Sequence, residues 1–268
     1  MPRSRVTVGT LFANAASLFP ERIALADGSE SVTYRELDRR VNRAANALAA
    51  RGMRPGERVA LLAENSIEHV VLMLACAKAG VILACQNWRL TPTELAHCLR
   101  LVEPSLVVGS ERYMGLLVDA EAPLGVECLE TDFRAAATPA PDTAPASVVD
   151  PEAPLLILYT SGTTGLPKGA VISHRAEIAR NMVLRGEFGL APTDTFVCWT
   201  PLHHMGGADH ALGNLMVGGK VIVLDGFDVE RLAALTATMY EQPERFEAAL
   251  RAGIAAAEDE GAGEGSGR

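Results

Sequence analysis

Ten consecutive turn-forming or cationic residues, 160–169 (TSGTTGLPKG), stand between two apolar runs at 155–158 and 170–172. Each flank is short and rich in branched side chains, so both read as buried strand rather than helix, and the segment between them joins two strands. Ordinary hairpins need about two to five loop residues, so ten exceed what a chain reversal requires. Gly162, Gly165 and Gly169 permit positive φ and close backbone approach, which lets successive N–H groups face one anion. Thr160, Ser161, Thr163 and Thr164 add hydroxyl donors, and Lys168 adds a compact charge on a flexible stem. Pro167 stiffens the chain just before that lysine. The arrangement reads as a phosphate cradle. Ser, Thr, Gly and Pro also dominate turns with no chemical purpose, and it is the length of the loop that speaks against a plain turn. The Walker pattern GxxxxGK[ST] fails, because Pro167 stands in place of its second glycine and Gly169 in place of its Ser or Thr.

Around this loop, helices and strands alternate, and the spacing predicts an α/β fold. Thr33 and Glu36 form a capping box for a helix whose apolar face is Leu37, Val41, Ala44, Ala45 and Leu48, with Gly52 suited to its end. A strand over 58–62, a helix over 66–79 stopped by Gly80 and a strand over 81–84 make a parallel βαβ unit. Thr91, Pro92 and Glu94 open a helix over 92–101 ahead of a strand at 106–108. Residues 134–150 lose periodicity and gather Ala, Pro, Ser and Thr, which reads as a surface linker. Beyond the loop the pattern predicts a helix over 175–188, a strand at 195–198, a helix over 207–217 and a strand at 220–224. From 233 onward it predicts one helix over 244–258 and a Gly/Glu tail too polar to pack.

The net charge of −9 and pI near 5.2 exclude a basic nucleic-acid surface. No signal-like start or uninterrupted apolar run of about 18 residues occurs, so neither secretion nor a membrane span is expected, and the expected location is cytoplasmic. Cys76, Cys85, Cys98, Cys128 and Cys198 are odd in number and lack metal-type spacing, so they read as reduced packing residues. His203, His204 and His210 prompt a metal reading, but HHxxxxxH lacks the helix-face pair with glutamate, and no protein metal ligand is assigned.

The loop TSGTTGLPKG matches, without departure, the phosphate loop of the adenylate-forming superfamily, which includes acyl-CoA synthetases, aryl-CoA ligases, luciferases and peptide-synthetase adenylation domains. Residues 32–80, with their TYREL start and NS-led helix, resemble that family's amino-terminal region. NWRLTPTEL at 87–95 is similar to its NxRLTPxEL, closest to fatty or alicyclic acyl-CoA synthetases. PLHHMGG at 201–207 resembles PxxHxGG, whose histidine borders the acyl pocket. The resemblance covers 6–232 and implies the layered βαβ sheets of a large amino-terminal domain, incomplete here, with 233–268 divergent and the small carboxy-terminal domain absent. It implies ATP, Mg²⁺ and CoA as reaction partners and a carboxylic acid as substrate, activated as an acyl-adenylate. By the same resemblance, Thr160, Ser161, Gly162, Thr163, Thr164, Gly165, Lys168 and Gly169 hold the ATP phosphates, and Lys168, Thr163 and His204 take part in catalysis. His204 also admits a plainer reading as a core or loop histidine.

The family's adenine-stacking segment, ribose-binding acid, hinge and adenylation lysine have no counterpart in this sequence. Two readings stay open: a ligase, or half of one, with little activity alone, and a non-catalytic remnant or interaction module. An unfinished sheet would invite a complementing chain or self-association. Fatty, alicyclic and aromatic acids all remain open as substrates, and so does a carrier-protein thiol in place of CoA.

Overall fold

The computed structural model of the 268-residue chain describes residues 6–123, 125–160, 165–230 and 232–233. Two units separate, Met1–Gly226 and Phe227–Arg268. The first carries every element discussed below. The helix expected over 244–258 and the polar tail lie outside the described residues.

Helix α1 (Val8–Leu18) leads into strands β1 (Ile23–Ala26) and β2 (Ser31–Thr33), then α2 (Tyr34–Ala50), β3 (Arg58–Leu62), α3 (Ile67–Ala79) and β4 (Ile82–Cys85). Next come α4 (Pro92–Val102), β5 (Leu106–Gly109), α5 (Met114–Asp119), β6 (Val126–Cys128) and the short α6 (Arg134–Ala137). The hairpin β7 (Pro154–Thr160) and β8 (Lys168–Ser173) is followed by α7 (His174–Phe188), β9 (Thr195–Cys198), α8 (Met205–Leu215) and β10 (Lys220–Val223).

The strands form two sheets, ordered β2-β1-β10-β9 and β6-β5-β3-β4-β7-β8. In the larger sheet all neighbours are parallel except the antiparallel β7–β8 pair. The smaller sheet joins β1 to β10 in parallel, with Leu25 opposite Val221, so the chain's start completes a sheet begun about two hundred residues later. Alternation along the large sheet splits its side chains between two cores. Leu61, Leu83, Leu156 and Leu158 enter the main cluster with α1–α3, α8 and residues Leu25 and Val221 of the other sheet. Ala60, Leu62, Ile157 and Tyr159 face the opposite side, under α4 and α5. Cover on both faces is why the central strands read as continuous apolar runs. It also explains α3, which is buried on nearly every face between the sheets.

Local signals account for most boundaries. Ser66 caps α3 and Gly80 closes it at φ 74°. Thr91 and Glu94 complete a capping box on α4, with Pro92 in its first turn. Four expectations change. At α2 only half the box forms, because the Glu36 carboxylate accepts instead from Arg40 Nε at 3.2 Å. Residues 134–150 are not all linker. They open with α6, and further on Asn46 and Asn42 of α2 donate to the carbonyls of Pro141 (2.7 Å) and Asp142 (2.9 Å). The helix read over 207–217 runs Met205–Leu215. The second flank of the loop, β8, is largely exposed rather than buried, because it is the edge strand of its sheet. All five cysteines are buried free thiols, and burial pushes those of Cys85 and Cys198 up to about 12.

Between α7 and α8, Glu177 and Asp209 meet in a buried pair. Among the described residues no fixed donor reaches Glu177 Oε2 or Asp209 Oδ1, while Arg180 Nε pairs with Asp209 Oδ2 from the solvent side. Burial, then the Asp209 charge beside it, holds the Glu177 carboxyl well above its ordinary value of 4.5, so at neutral pH it keeps a proton that can serve Asp209. The unfolded chain gives up that proton at the ordinary value, so stability from this group is full below it and is lost as pH rises toward the raised one. Thermal melts from about pH 5 to pH 8 are expected to show stability falling with pH, with a smaller fall in Glu177→Gln. Equal slopes in both proteins would contradict the assignment.

Candidate functional site

Strands β7 and β8 hold the loop by its two legs. Tyr159 pairs with Gly169 and Thr160 with Lys168, after which the ladder ends. Thr160 and Lys168 are both exposed, and the Lys168 side chain makes no hydrogen bond or ion pair among the described residues. Gly165 has φ 95°, with nothing among the described residues within 4 Å of where a Cβ would sit. Gly169 differs from the sequence reading: its φ is not positive. It lies in strand β8, and a Cβ there would sit 3.0 Å from the Ile157 side chain, so its value is close packing. Ser161, Gly162, Thr163 and Thr164 lie outside the described residues. Beside Lys168 a groove of about 750 Å³ is lined by Arg58, His97, Leu101, Leu166 and Val171, among others.

A second cluster forms where β9 runs into α8. His204 is the N-cap residue of α8, with extended backbone and no capping bond from its side chain. His203 is buried, its ring 4.4 Å from that of His204 and edge-on to Trp88 at 5.9 Å, and Trp88 stacks on Tyr113. The NWRL and PLHH segments, more than a hundred residues apart, thus meet in one place. Burial first, then the neighbouring charges of His204, His69 and Arg89, lowers the His203 imidazole to about 3. His204, half-buried, is lowered by burial and then by Arg89. Both rings are therefore neutral at pH 7 and present an uncharged, partly apolar wall.

Sequence reasoning missed Asn65. Its Nδ2 donates to the carbonyl of Thr200 at 2.9 Å, and its Oδ1 accepts from the Leu202 N–H at 2.8 Å. One buried amide thus fixes the approach to His203 and His204 from the β3–α3 turn. A buried asparagine just before the Ser66 cap was the available signal. His174, also missed, accepts from the Val8 N–H at 3.3 Å and so ties α7 to α1. Among the described residues no hydrogen bond or ring contact joins His204 to the hairpin: the loop hangs from the larger sheet, and His204 follows β9 of the smaller one.

An exposed lysine whose side chain has no partner among the described residues, a threonine paired only through its backbone ladder and a glycine turn fit a phosphate group, because each can offer donors to it. For a divalent cation the described residues offer no group of three His, Cys, Asp or Glu side chains. Mg²⁺ commonly comes in on phosphate oxygens and water.

A model of the AMP-binding enzyme family matches residues 12–252, which includes both clusters and continues past Leu232. A medium/long-chain fatty-acid–CoA ligase of Mycobacterium tuberculosis is 32% identical over 231 residues, covering 83% of this chain and 38% of that protein. A 4-chlorobenzoate–CoA ligase of an Arthrobacter species is 33% identical over 262 residues, covering 91% of this chain and 49% of that protein. Among solved structures, ATP-bound MatB from Rhodopseudomonas palustris superposes with TM-score 0.78 at 29% identity, covering 87% of this chain and 48% of that one. The amino-terminal domain of FACL13 from Mycobacterium tuberculosis gives 0.80 at 25% identity, covering 85% of this chain and 60% of that one. The chain spans half or less of the length of these two curated relatives. Since the match takes in most of the sequence and the relatives exceed 30% identity, the chain belongs to the AMP-binding enzyme family.

Proposed function

We propose that this chain supplies the ATP-binding half of an acid–thiol ligase that makes an acyl-CoA through an acyl-adenylate. The observation that carries the reading is the loop 160–169, anchored at Thr160 and Lys168 by the β7–β8 ladder, with a glycine turn and a lysine side chain that has no partner among the described residues at its mouth. Relatives named as acid–CoA ligases support the same class.

In the first step a carboxylate oxygen bonds to the α-phosphorus of ATP, and pyrophosphate leaves with the electron pair of the broken P–O bond. In the second a thiol sulfur bonds to the acyl carbon, and AMP leaves. Mg²⁺, when bound, offsets charge on the phosphates. Lys168 and the hydroxyls and N–H groups of the loop, Thr160, Ser161, Thr163 and Thr164 included, do the rest of that work. The neutral His204 borders the acid and shields the reacting carboxylate from water. Residues 6–232 carry both parts. A cytoplasmic location goes with this reading, ATP and CoA being substrates held inside cells.

Acid-dependent exchange of labelled pyrophosphate into ATP, run over fatty, alicyclic and aromatic acids, tests the proposal and sorts the acid class. Exchange is expected to be slow, since the chain covers 38% and 49% of the two ligases above. ATP binding without exchange for any acid would favour the second reading, a non-catalytic or complementing half.

One observation favours that reading. The outer edge of β8 has no strand partner among the described residues, Val171 on it is 59% exposed, and Met182, Val183 and Phe188 of α7 are exposed as well. A free edge beside apolar side chains invites another chain or a second copy. Sedimentation velocity across a range of concentrations is expected to show association, and a monomer at every concentration would count against it.

A further inference from the structure

We propose that α4 clamps both legs of the loop through two consecutive residues, and that His97 is thereby a positioning residue for Lys168. The inference rests on the phosphate-binding reading of the loop for its consequence, though not for its geometry.

On the outgoing leg, His97 Nε2 lies 3.2 Å from the carbonyl oxygen of Pro167, the residue just before Lys168. A carbonyl can only accept, so Nε2 carries the hydrogen and donates it. On the incoming leg, the Tyr159 hydroxyl lies 3.3 Å from the carbonyl of Cys98 and 2.9 Å from Gln86 Nε2. The phenol has one proton. It goes to the Cys98 carbonyl, and the oxygen accepts from Gln86, whose other Nε2 hydrogen serves Ala84 O at 3.1 Å. Every donor in this chain of bonds has one acceptor, which fixes its direction.

The clamp is as firm as the helix that carries it. The capping box holds the first turn of α4, with the Thr91 N–H donating to Glu94 Oε2 at 2.8 Å. Leu95, Cys98, Leu99 and Val102 bury its other face against the sheet. His97 is itself only half-buried, and its bond crosses 70 residues of sequence to the residue just outside the β7–β8 register. Cross-strand pairing with Thr160 fixes Lys168 from one side. The His97 bond fixes the peptide unit before it from the other. Lys168 therefore leaves the backbone in one direction, and that pre-organisation, not contact with the ligand, is what His97 contributes.

The test uses the full chain and four proteins: wild type, His97→Ala, His97→Gln and Lys168→Ala. Loss of one hydrogen bond worth about 0.5–1.5 kcal/mol corresponds to about a two- to tenfold weaker ATP affinity in His97→Ala. Glutamine can place an N–H near the Nε2 position, so His97→Gln is expected to restore binding, which a mere packing role would not do. Amide hydrogen exchange at 165–169 should quicken in His97→Ala without nucleotide and slow again in His97→Gln. Tyr159→Phe, which cuts the other leg, should shift exchange in the same direction. Wild-type ATP affinity and unchanged exchange in His97→Ala would overturn the clamp. If wild type and Lys168→Ala bind ATP equally poorly, the phosphate reading falls, and the exchange arm still judges the clamp.

Discussion

In Lys168→Ala, acid-dependent exchange of pyrophosphate into ATP is expected to fall about 100-fold or more, the loss typical of removing one preorganised donor from a site where charge develops. ATP affinity should fall about 10- to 100-fold, equivalent to the ~1.5–3 kcal/mol of a hydrogen bond to a charged group. Stability should stay within about 0.5 kcal/mol of wild type, because the side chain is exposed and bonds to nothing among the described residues. That separation matters, since it distinguishes a lost contact from a damaged fold. Lys168→Arg should lie between the two proteins: it keeps the charge but presents a planar fork where a compact ammonium fits. Unchanged exchange in Lys168→Ala would mean that the lysine is not at the phosphates.

Gly207→Ala is expected to cost about 1–3 kcal/mol of stability, the usual range for overpacking. A Cβ at 207 would lie 2.5 Å from the carbonyl oxygen of Pro201 and 2.6 Å from that of Thr200. These are backbone atoms and cannot rotate away, so α8 would have to shift. His204 caps that same helix and would move with it. A displacement of about 1 Å at a reacting site can cost about 100-fold in rate, so exchange should fall together with the melting temperature. Gly206→Ala is the control. Its Cβ would meet only the Thr200 methyl at 3.5 Å, an ordinary contact, and alanine is favoured over glycine in a helix by about 1 kcal/mol. Thermal melts in which both variants behave alike would contradict this account of the paired glycines.

What was legible in the sequence is what local rules govern. The βαβ unit of β3, α3 and β4, the cap of α4 and the strand leading into the loop follow from period, capping residues and glycine stops. Sheet order is another matter. The parallel pairing of Leu25 with Val221 was not legible, because a four-residue strand carries no mark of its partner. Burial of β8 was misjudged for a related reason: Ala170, Val171 and Ile172 are apolar, but an edge position decides exposure. The site divides in the same way. Gly165 takes the positive φ that a turn glycine allows, whereas Lys168, read as a loop residue, opens strand β8. Asn65, His97 and His174 act across 137, 70 and 166 positions, and beyond the place of Asn65 before the Ser66 cap nothing in their neighbourhoods announces the bond.

The central claim is that loop 160–169 grips the phosphates of ATP. Equilibrium titration of the 268-residue chain with ATP and, in parallel, with adenosine tests it most directly. ATP is expected to bind well above adenosine, with the difference largely removed in Lys168→Ala and reduced at high salt, as charge-based recognition requires. Equal binding of ATP and adenosine, or an ATP preference that survives Lys168→Ala untouched, would contradict the assignment.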